Sequence, residues 1–335
     1  MEYRILGKTG LKISRLGLGG IPIQRTDADG ARNLILKLVE NGVNFIDTAR
    51  GYTVSEEYLG YALDGVREKF VLATKSMART KDGMAKDIAL SLEKLRTDYI
   101  DLYQLHNPNA KDLDIISSKD GALEALWEAR AEGKIGHIGI TLHSLEIFEK
   151  AIELPWVETI MFPYNIVETE AEELIKKCAL KNIGFICMKP LAGGAIEDGR
   201  LAVRFTSQNP DVSVIIPGMA EEKELAINVS AINDPAPLTN EEKIKIEDII
   251  SLLGTNFCRR CNYCAPCAVG INIPSVLLFD GYYNRYGLKD WAKARYSTLA
   301  VKASECIECG VCESRCPYNL KIREMLKKAV KVLEQ

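Results

Sequence analysis

No stretch of the 335 residues is apolar for long enough to span a bilayer. The start, MEYRILGKTG, has neither the charge layout nor the apolar core of a secretory leader. These absences exclude a membrane-spanning role and lead us to expect a cytoplasmic, reducing setting. Charge of one sign is missing as well: 43 Lys and Arg stand against 46 Asp and Glu, for a net −3. That balance offers no electrostatic footprint for nucleic acid, and no nucleic-acid partner is expected. Histidine is scarce, with 3 in the chain and none near the cysteine-rich end, which removes the Cys–His combinations of structural zinc. A Gly-x-Gly-x-x-Gly turn is absent too. Gly17, Gly19 and Gly20 lack the spacing, which disfavours a Rossmann dinucleotide site.

Cysteine, by contrast, is concentrated. Of 10 in the chain, all but Cys178 and Cys187 fall in two runs, Cys258-x2-Cys261-x2-Cys264-x2-Cys267 and Cys306-x2-Cys309-x2-Cys312-x3-Cys316-Pro317. The two outliers read as packing residues, one on a helix and one on a strand. The second run resembles the ferredoxin-type iron–sulfur signature residue for residue, its proline included. Thiolates spaced three residues apart can wrap one face of a cubane and leave its last iron to a distant fourth cysteine. Zinc, usually held by CxxC pairs, and disulfides, which accompany a secretory leader, are the weaker alternatives.

The runs are also halves of an internal repeat. Counting from their last cysteines, Cys267 matches Cys316, Ile271 matches Leu320, Ile273 matches Ile322, Val276 matches Met325 and Leu277 matches Leu326. In two-cluster ferredoxins the fourth cysteine of each run serves the other cluster. That resemblance implies two [4Fe-4S] clusters, one on Cys258, Cys261, Cys264 and Cys316, the other on Cys306, Cys309, Cys312 and Cys267. Ala265-Pro266 before Cys267, and Ala268 where proline is usual, leave open a single cluster on the second run.

The length suits one large domain and one small one. Asp234-Pro235-Ala236-Pro237 breaks regular structure, and Thr239 with Glu242 forms a capping box opening a helix that runs to about Gly254. The expected division is a barrel over 1–232, a linker and helix over 233–256, and a cluster domain over 257–335. Within the last, Pro274 to Leu278 and Leu288 to Leu299 read as helices, which favours a small, mostly helical ferredoxin-like domain. Lys321, Arg323, Lys327, Lys328 and Lys331 read as a solvated helical face, with docking of an acidic redox partner protein as the alternative.

Before residue 232, short apolar runs alternate with amphipathic helices. The runs are Arg15 to Gly19, Val43 to Asp47, Val71 to Lys75, Tyr99 to Leu105, His137 to Ile140, Thr159 to Phe162, Gly184 to Met188 and Val212 to Ile216. This predicts an α/β fold, a (β/α)8 TIM barrel in preference to a doubly wound sheet. Chemistry in such a barrel sits where the strands end. Asp47, Lys75 and His106 close successive strands and Tyr52 follows Asp47 in its loop. Singly each has a bland explanation, an ion pair, a loop tyrosine or a core histidine. Together they form a site. A tyrosine hydroxyl ionises near pH 10 and needs a neighbouring cation to act as an acid at neutral pH. Lys75 can supply that cation, Asp47 can orient it, and His106 can direct a hydrogen bond at a substrate oxygen. His143, in the loop after the fifth run, is a candidate substrate contact.

Over roughly residues 1–232 the chain resembles the aldo-keto reductases. The resemblance is carried by DTARGYTVSEEYLG with Asp47 and Tyr52, by Thr74-Lys75, by DLYQLH ending in His106, by YRILGKTGLKISRLGLGG, by KPLAGG and by IPG at Ile216 to Gly218. It implies NAD(P)H-dependent reduction of a small aldehyde or ketone with Tyr52 as general acid. The cofactor positions depart from the family. Thr141-Leu142 and Met161 stand where Ser-Asn and Gln commonly hold the carboxamide, and Met188 where a Tyr stacks on the nicotinamide. Gly218, Met219 and Glu224 replace the usual 2′-phosphate set, while the adenine-side Asn228 is kept. A carboxylate repels a 2′-phosphate, so the resemblance does not choose NADP over NAD.

Nicotinamide passes two electrons as hydride and a [4Fe-4S] cluster takes one, so the two halves pose a problem. The leading expectation is a working carbonyl reductase with accessory clusters. The alternatives are an electron-transfer protein whose barrel binds another redox ligand such as flavin, for which no motif speaks, and clusters that only build an interaction surface.

Overall fold

The structure, a computed structural model, describes residues 1–335 in two compact units. Met1–Asn165, Thr169–Pro190 and Asp198–Pro237 form the first, and Ile166–Glu168, Leu191–Glu197 and Leu238–Gln335 the second. No helix is long and apolar enough to cross a membrane.

The first unit opens with an antiparallel hairpin, β1 (Tyr3–Ile5) and β2 (Lys12–Ser14). Eight parallel strands follow in sequence order: β3 (Gly17–Gly19), β4 (Phe45–Asp47), β5 (Val71–Ser76), β6 (Ile100–His106), β7 (Ile135–Thr141), β8 (Thr159–Pro163), β9 (Gly184–Met188) and β10 (Val214–Ile216). The sheet closes on itself. Leu16 bridges Ile215, Gly19 bridges Gly218, and the Gly19 amide donates to Pro217 O at 2.9 Å. Closure needs a bare backbone in β3: a Cβ on Gly17 would lie 2.9 Å from Phe45 Cδ1 and 3.0 Å from Ile216 Cγ2.

Helices cover the outside because their apolar residues recur with helical period. In Ala28–Glu40 the buried positions are Ala31, Leu34, Ile35 and Leu38, and the Asp27 carboxylate caps the start by accepting from Gly30 N at 2.8 Å. Inside the barrel, Phe45, Ala73, Leu102, Met161, Ile186 and Val214 pack with Leu6 and Ile13 of the hairpin. Lys8 N donates to Asn182 O at 2.7 Å and Ser14 N to Asn44 Oδ1 at 2.6 Å, just ahead of β9 and β4. The hairpin therefore plugs the end where strands begin, and the opposite end is left to polar side chains.

Each expected run is a strand, with small shifts. β7 starts at Ile135 and includes Thr141, so His137 lies within it and Thr141 closes it. The hairpin was not expected.

The second unit has no strand. Its helices are Asn240–Leu253, Ile273–Asn284, Lys289–Ser297, Val311–Ser314 and Ile322–Leu333. The capping box is formed, with Glu242 N donating to Thr239 Oγ1 at 3.1 Å and Thr239 N to Glu242 Oε2 at 2.9 Å. The sequence repeat is also a backbone repeat. Left-handed residues recur at equivalent places: Arg260 and Glu308 (φ 61° and 57°), Asn262 and Gly310 (67° and 76°), Gly270 and Asn319 (86° and 52°). Each run then leads into a helix of 12 residues, Ile273–Asn284 or Ile322–Leu333.

Candidate active site and metal centres

At the open end of the barrel, the end of β4 delivers Asp47, β5 delivers Lys75, and β6 delivers Gln104 and His106 on one face by the two-residue strand period. Lys75 Nζ donates to Asp47 Oδ2 at 2.5 Å and to Thr48 O at 2.8 Å. Gln104 Nε2 donates to the other carboxylate oxygen at 3.0 Å. The ammonium lies 4.9 Å from the Tyr52 ring centroid, and the His106 ring meets the Tyr52 ring edge to face, 6.1 Å between centroids. The structure thus brings together all four residues singled out from sequence.

Burial sets the electrostatics of the pair. It pushes the Lys75 ammonium below the ordinary lysine range and the Asp47 carboxyl above the ordinary aspartate value, and their contact pulls each back. A buried Glu56 stands behind them. It accepts from Thr74 Oγ1 at 2.7 Å and Ser91 Oγ at 2.8 Å, pairs closely with Arg50, and favours the charged form of Lys75. Gln104 and Glu56 were missed from sequence. Gln104 is two residues before His106, a signal that strand alternation could have exposed.

Of the cofactor candidates, Thr141 and Met161 are register partners on β7 and β8, as are Met188 and Pro163 on β9 and β8. Thr141 Oγ1 accepts from Asn107 N at 3.1 Å. Met161 and Met188 are buried in the barrel interior. Gly218 is exposed after β10, and Asn228 is buried on the helix Glu222–Ile232. Glu224 caps that helix, accepting from Ala220 N at 2.7 Å, and pairs with Arg25 at 2.7 Å, so its charge is shared with a cation. At the same end of the barrel, Lys189 Nζ lies 2.8 Å from His143 Nε2, and His143 Nδ1 lies 3.2 Å from Asn107 Oδ1.

In the second unit the eight clustered cysteines divide between two cavities. Cys258, Cys261, Cys264 and Cys316 line one of ≈ 320 Å³, walled by Ile273, Leu277 and Leu320. Cys267, Cys306, Cys309 and Cys312 line the other, ≈ 350 Å³, with Val269, Ile273 and Leu326. No three or more His, Cys, Asp or Glu side chains form a group able to hold a single metal ion. Four thiols around an apolar cavity suit a cubane, which is wider than an ion and is served by cysteine from several sides. Burial pushes the Cys264 thiol up to about 12 and raises Cys258, Cys261 and Cys312. Cys178 and Cys187 are buried in the first unit, on the helix Glu172–Leu180 and on β9. On the C-terminal helix, Arg323 pairs with Glu313 and Lys327 with Glu308, each at 2.7 Å.

Comparison with known proteins agrees with this division. Residues 15–200 match the model of the aldo/keto reductase family, and residues 257–321 that of the 4Fe-4S dicluster domain. L-galactose dehydrogenase of Arabidopsis thaliana is 28% identical over 286 residues, 70% of this chain and 89% of the relative. Aldo-keto reductase YhdN of Bacillus subtilis is 32% identical over 223 residues, 59% of this chain and 66% of the relative. Among solved structures, the holo form of the aldo-keto reductase AKR11C1 from Bacillus halodurans superimposes with a TM-score of 0.64 at 26% identity, covering 74% of this chain and 96% of that one.

Proposed function

Because this chain belongs to the aldo/keto reductase family and carries a 4Fe-4S dicluster domain, we propose that it reduces a small aldehyde or ketone with NAD(P)H, Tyr52 being the general acid. The observation that carries this reading is the buried Asp47–Lys75 pair beneath the Tyr52 ring, with His106 at its edge.

NAD(P)H, when bound, supplies hydride to the carbonyl carbon. The chain's own residues handle the charge that then develops on oxygen. Tyr52 gives that oxygen its hydroxyl proton, Lys75 stabilises the phenolate left behind, and Asp47 with Gln104 holds the ammonium in place. His106 directs the carbonyl oxygen toward Tyr52. Thr141 is assigned to the carboxamide and Asn228 to the adenine end. Met161, Met188 and Gly218 line the cofactor, methionine replacing an aromatic stack by dispersion contact. The relative named for L-galactose makes sugar aldehydes the first substrates to test.

The cysteines are assigned as two crossed ligand sets, Cys258, Cys261, Cys264 and Cys316 for one [4Fe-4S] cluster, Cys267, Cys306, Cys309 and Cys312 for the other. Their division between two cavities supports this. The clusters exchange electrons with a redox partner protein in a reducing compartment.

The test is NAD(P)H oxidation over a panel of aldehydes by anaerobically purified protein. Tyr52→Phe is expected to lower kcat by about 10²–10⁴, the usual worth of a positioned acid. Unchanged turnover in that variant would remove Tyr52 from the chemistry. A second reading, with flavin or another redox ligand in the barrel, draws on the absence of the family's Ser-Asn, Gln and Tyr at Thr141-Leu142, Met161 and Met188. Release of a flavin on denaturation, with little aldehyde turnover, would favour it.

A further inference from the structure

The two cysteine runs repeat in backbone but not in charge. Aligned from their first cysteines, Arg259 and Arg260 stand where Ile307 and Glu308 stand. The second pair of positions shares its left-handed backbone, so the equivalence is one of place. Arg260 is matched by the buried Glu168 at 2.9 Å, and Glu308 by Lys327 at 2.7 Å, so these two largely cancel. Arg259 carries the difference. It is the charged residue lining the first cavity, its guanidinium 3.8 Å from the Tyr318 ring centroid and donating to Val167 O at 2.8 Å. The second cavity is also lined by an arginine, Arg323, but there Glu313 accepts from Nε at 3.0 Å and Nη2 at 2.7 Å. The cation reaches that cavity with a carboxylate attached.

We propose that Arg259 makes the site of Cys258, Cys261, Cys264 and Cys316 the more oxidising of the two. An electron handed over by a one-electron carrier protein then comes to rest at that site. The inference rests on the reading that both cysteine sets hold clusters. Reduction adds one electron and one negative charge with no change of ligands. A cation held in an apolar wall favours the reduced form and raises the potential. Solvent acts in the same direction at the other site, where Cys309 is exposed, but the two sets otherwise match, each with one buried and two half-buried cysteines beside the position that differs. One exposed thiol is set against a whole guanidinium in a low-dielectric wall, and the charge is the larger effect.

The test is a potentiometric titration of the anaerobically purified full chain, followed by electron paramagnetic resonance, with iron and sulfide counts. Two midpoints are expected. R259Q should lower the higher one and leave the lower in place. I307R, which puts a cation at the equivalent position of the second run, should raise the lower one, and E313Q should do the same by freeing Arg323. R259K keeps the charge and should keep most of the potential, which separates charge from folding if R259Q loses iron. Coincident midpoints in the wild type, or R259Q moving neither or moving the lower one, overturns the inference and leaves the cluster assignment standing. Four irons and four sulfides per chain overturn the two-cluster reading and the inference with it.

Discussion

Burying a lysine and an aspartate strips both of water, and their attraction repays that cost only while both are present. Lys75 and Asp47 are almost wholly buried and meet at 2.5 Å. Asp47→Asn leaves the ammonium buried without its counter-charge and should destabilise the first unit by about 3–5 kcal/mol. The double variant Asp47→Asn with Lys75→Met should be more stable than the single one. Urea unfolding of the variants checks this, and a double variant no better than Asp47→Asn alone would deny the pairing. Glu158 offers a pH-dependent counterpart. Burial alone would raise its pKa, but hydrogen bonds from the His137 ring and Ile138 N, with Arg130 nearby, bring it below the ordinary glutamate value. A carboxyl with a lowered folded pKa stabilises above its unfolded value and loses that contribution as pH falls through the folded one. Glu158→Gln should therefore cost about 1–3 kcal/mol at neutral pH, and the gap from wild type should close in acid. A gap that widens on acidification would contradict the assignment.

Strands that end in chemistry are legible because two patterns coincide at one residue: an apolar run stops, and a titratable group stands at the stop. Asp47, Lys75 and His106 show both, and each of the eight barrel runs is a strand for the same reason, a short apolar stretch buried on both faces. What escaped reading depends on distance across strands or on very short elements. Glu56 and Gln104 gain their roles only when β4, β5 and β6 lie side by side. β1 and β2 are 3 residues each with mixed exposure, too short to show a period. Their purpose is visible in Leu6 and Ile13, fully buried in the barrel interior. Leu6→Ala should open a cavity there and cost about 2–5 kcal/mol. Because the hairpin plugs the end opposite the tetrad, KM for aldehyde should stay unchanged in the variant, and a marked rise in KM would show that the plug shapes the site.

The molecule as a whole joins a barrel built for hydride transfer to a unit built for single electrons, and the question is which steps need both. The Asp47, Tyr52, Lys75 and His106 groups all belong to the first unit, and the hydride pathway through them is complete in electrons and protons: two electrons and a proton leave the cofactor as hydride, and the second proton leaves Tyr52. In the second unit the cysteines pack into the same apolar core as the helices Ile273–Asn284 and Ile322–Leu333, so metal binding and folding are coupled there. Replacing Cys261 and Cys309 by serine should therefore lower the iron content and loosen the second unit. Aldehyde turnover should nevertheless fall by less than about tenfold, because no transition-state contact is removed. Iron analysis, circular dichroism and NAD(P)H oxidation on one preparation decide the matter. If turnover drops as far as in Tyr52→Phe while the barrel remains folded, single-electron steps belong to the catalytic cycle, and the protein couples carbonyl chemistry to its redox partner in every turnover.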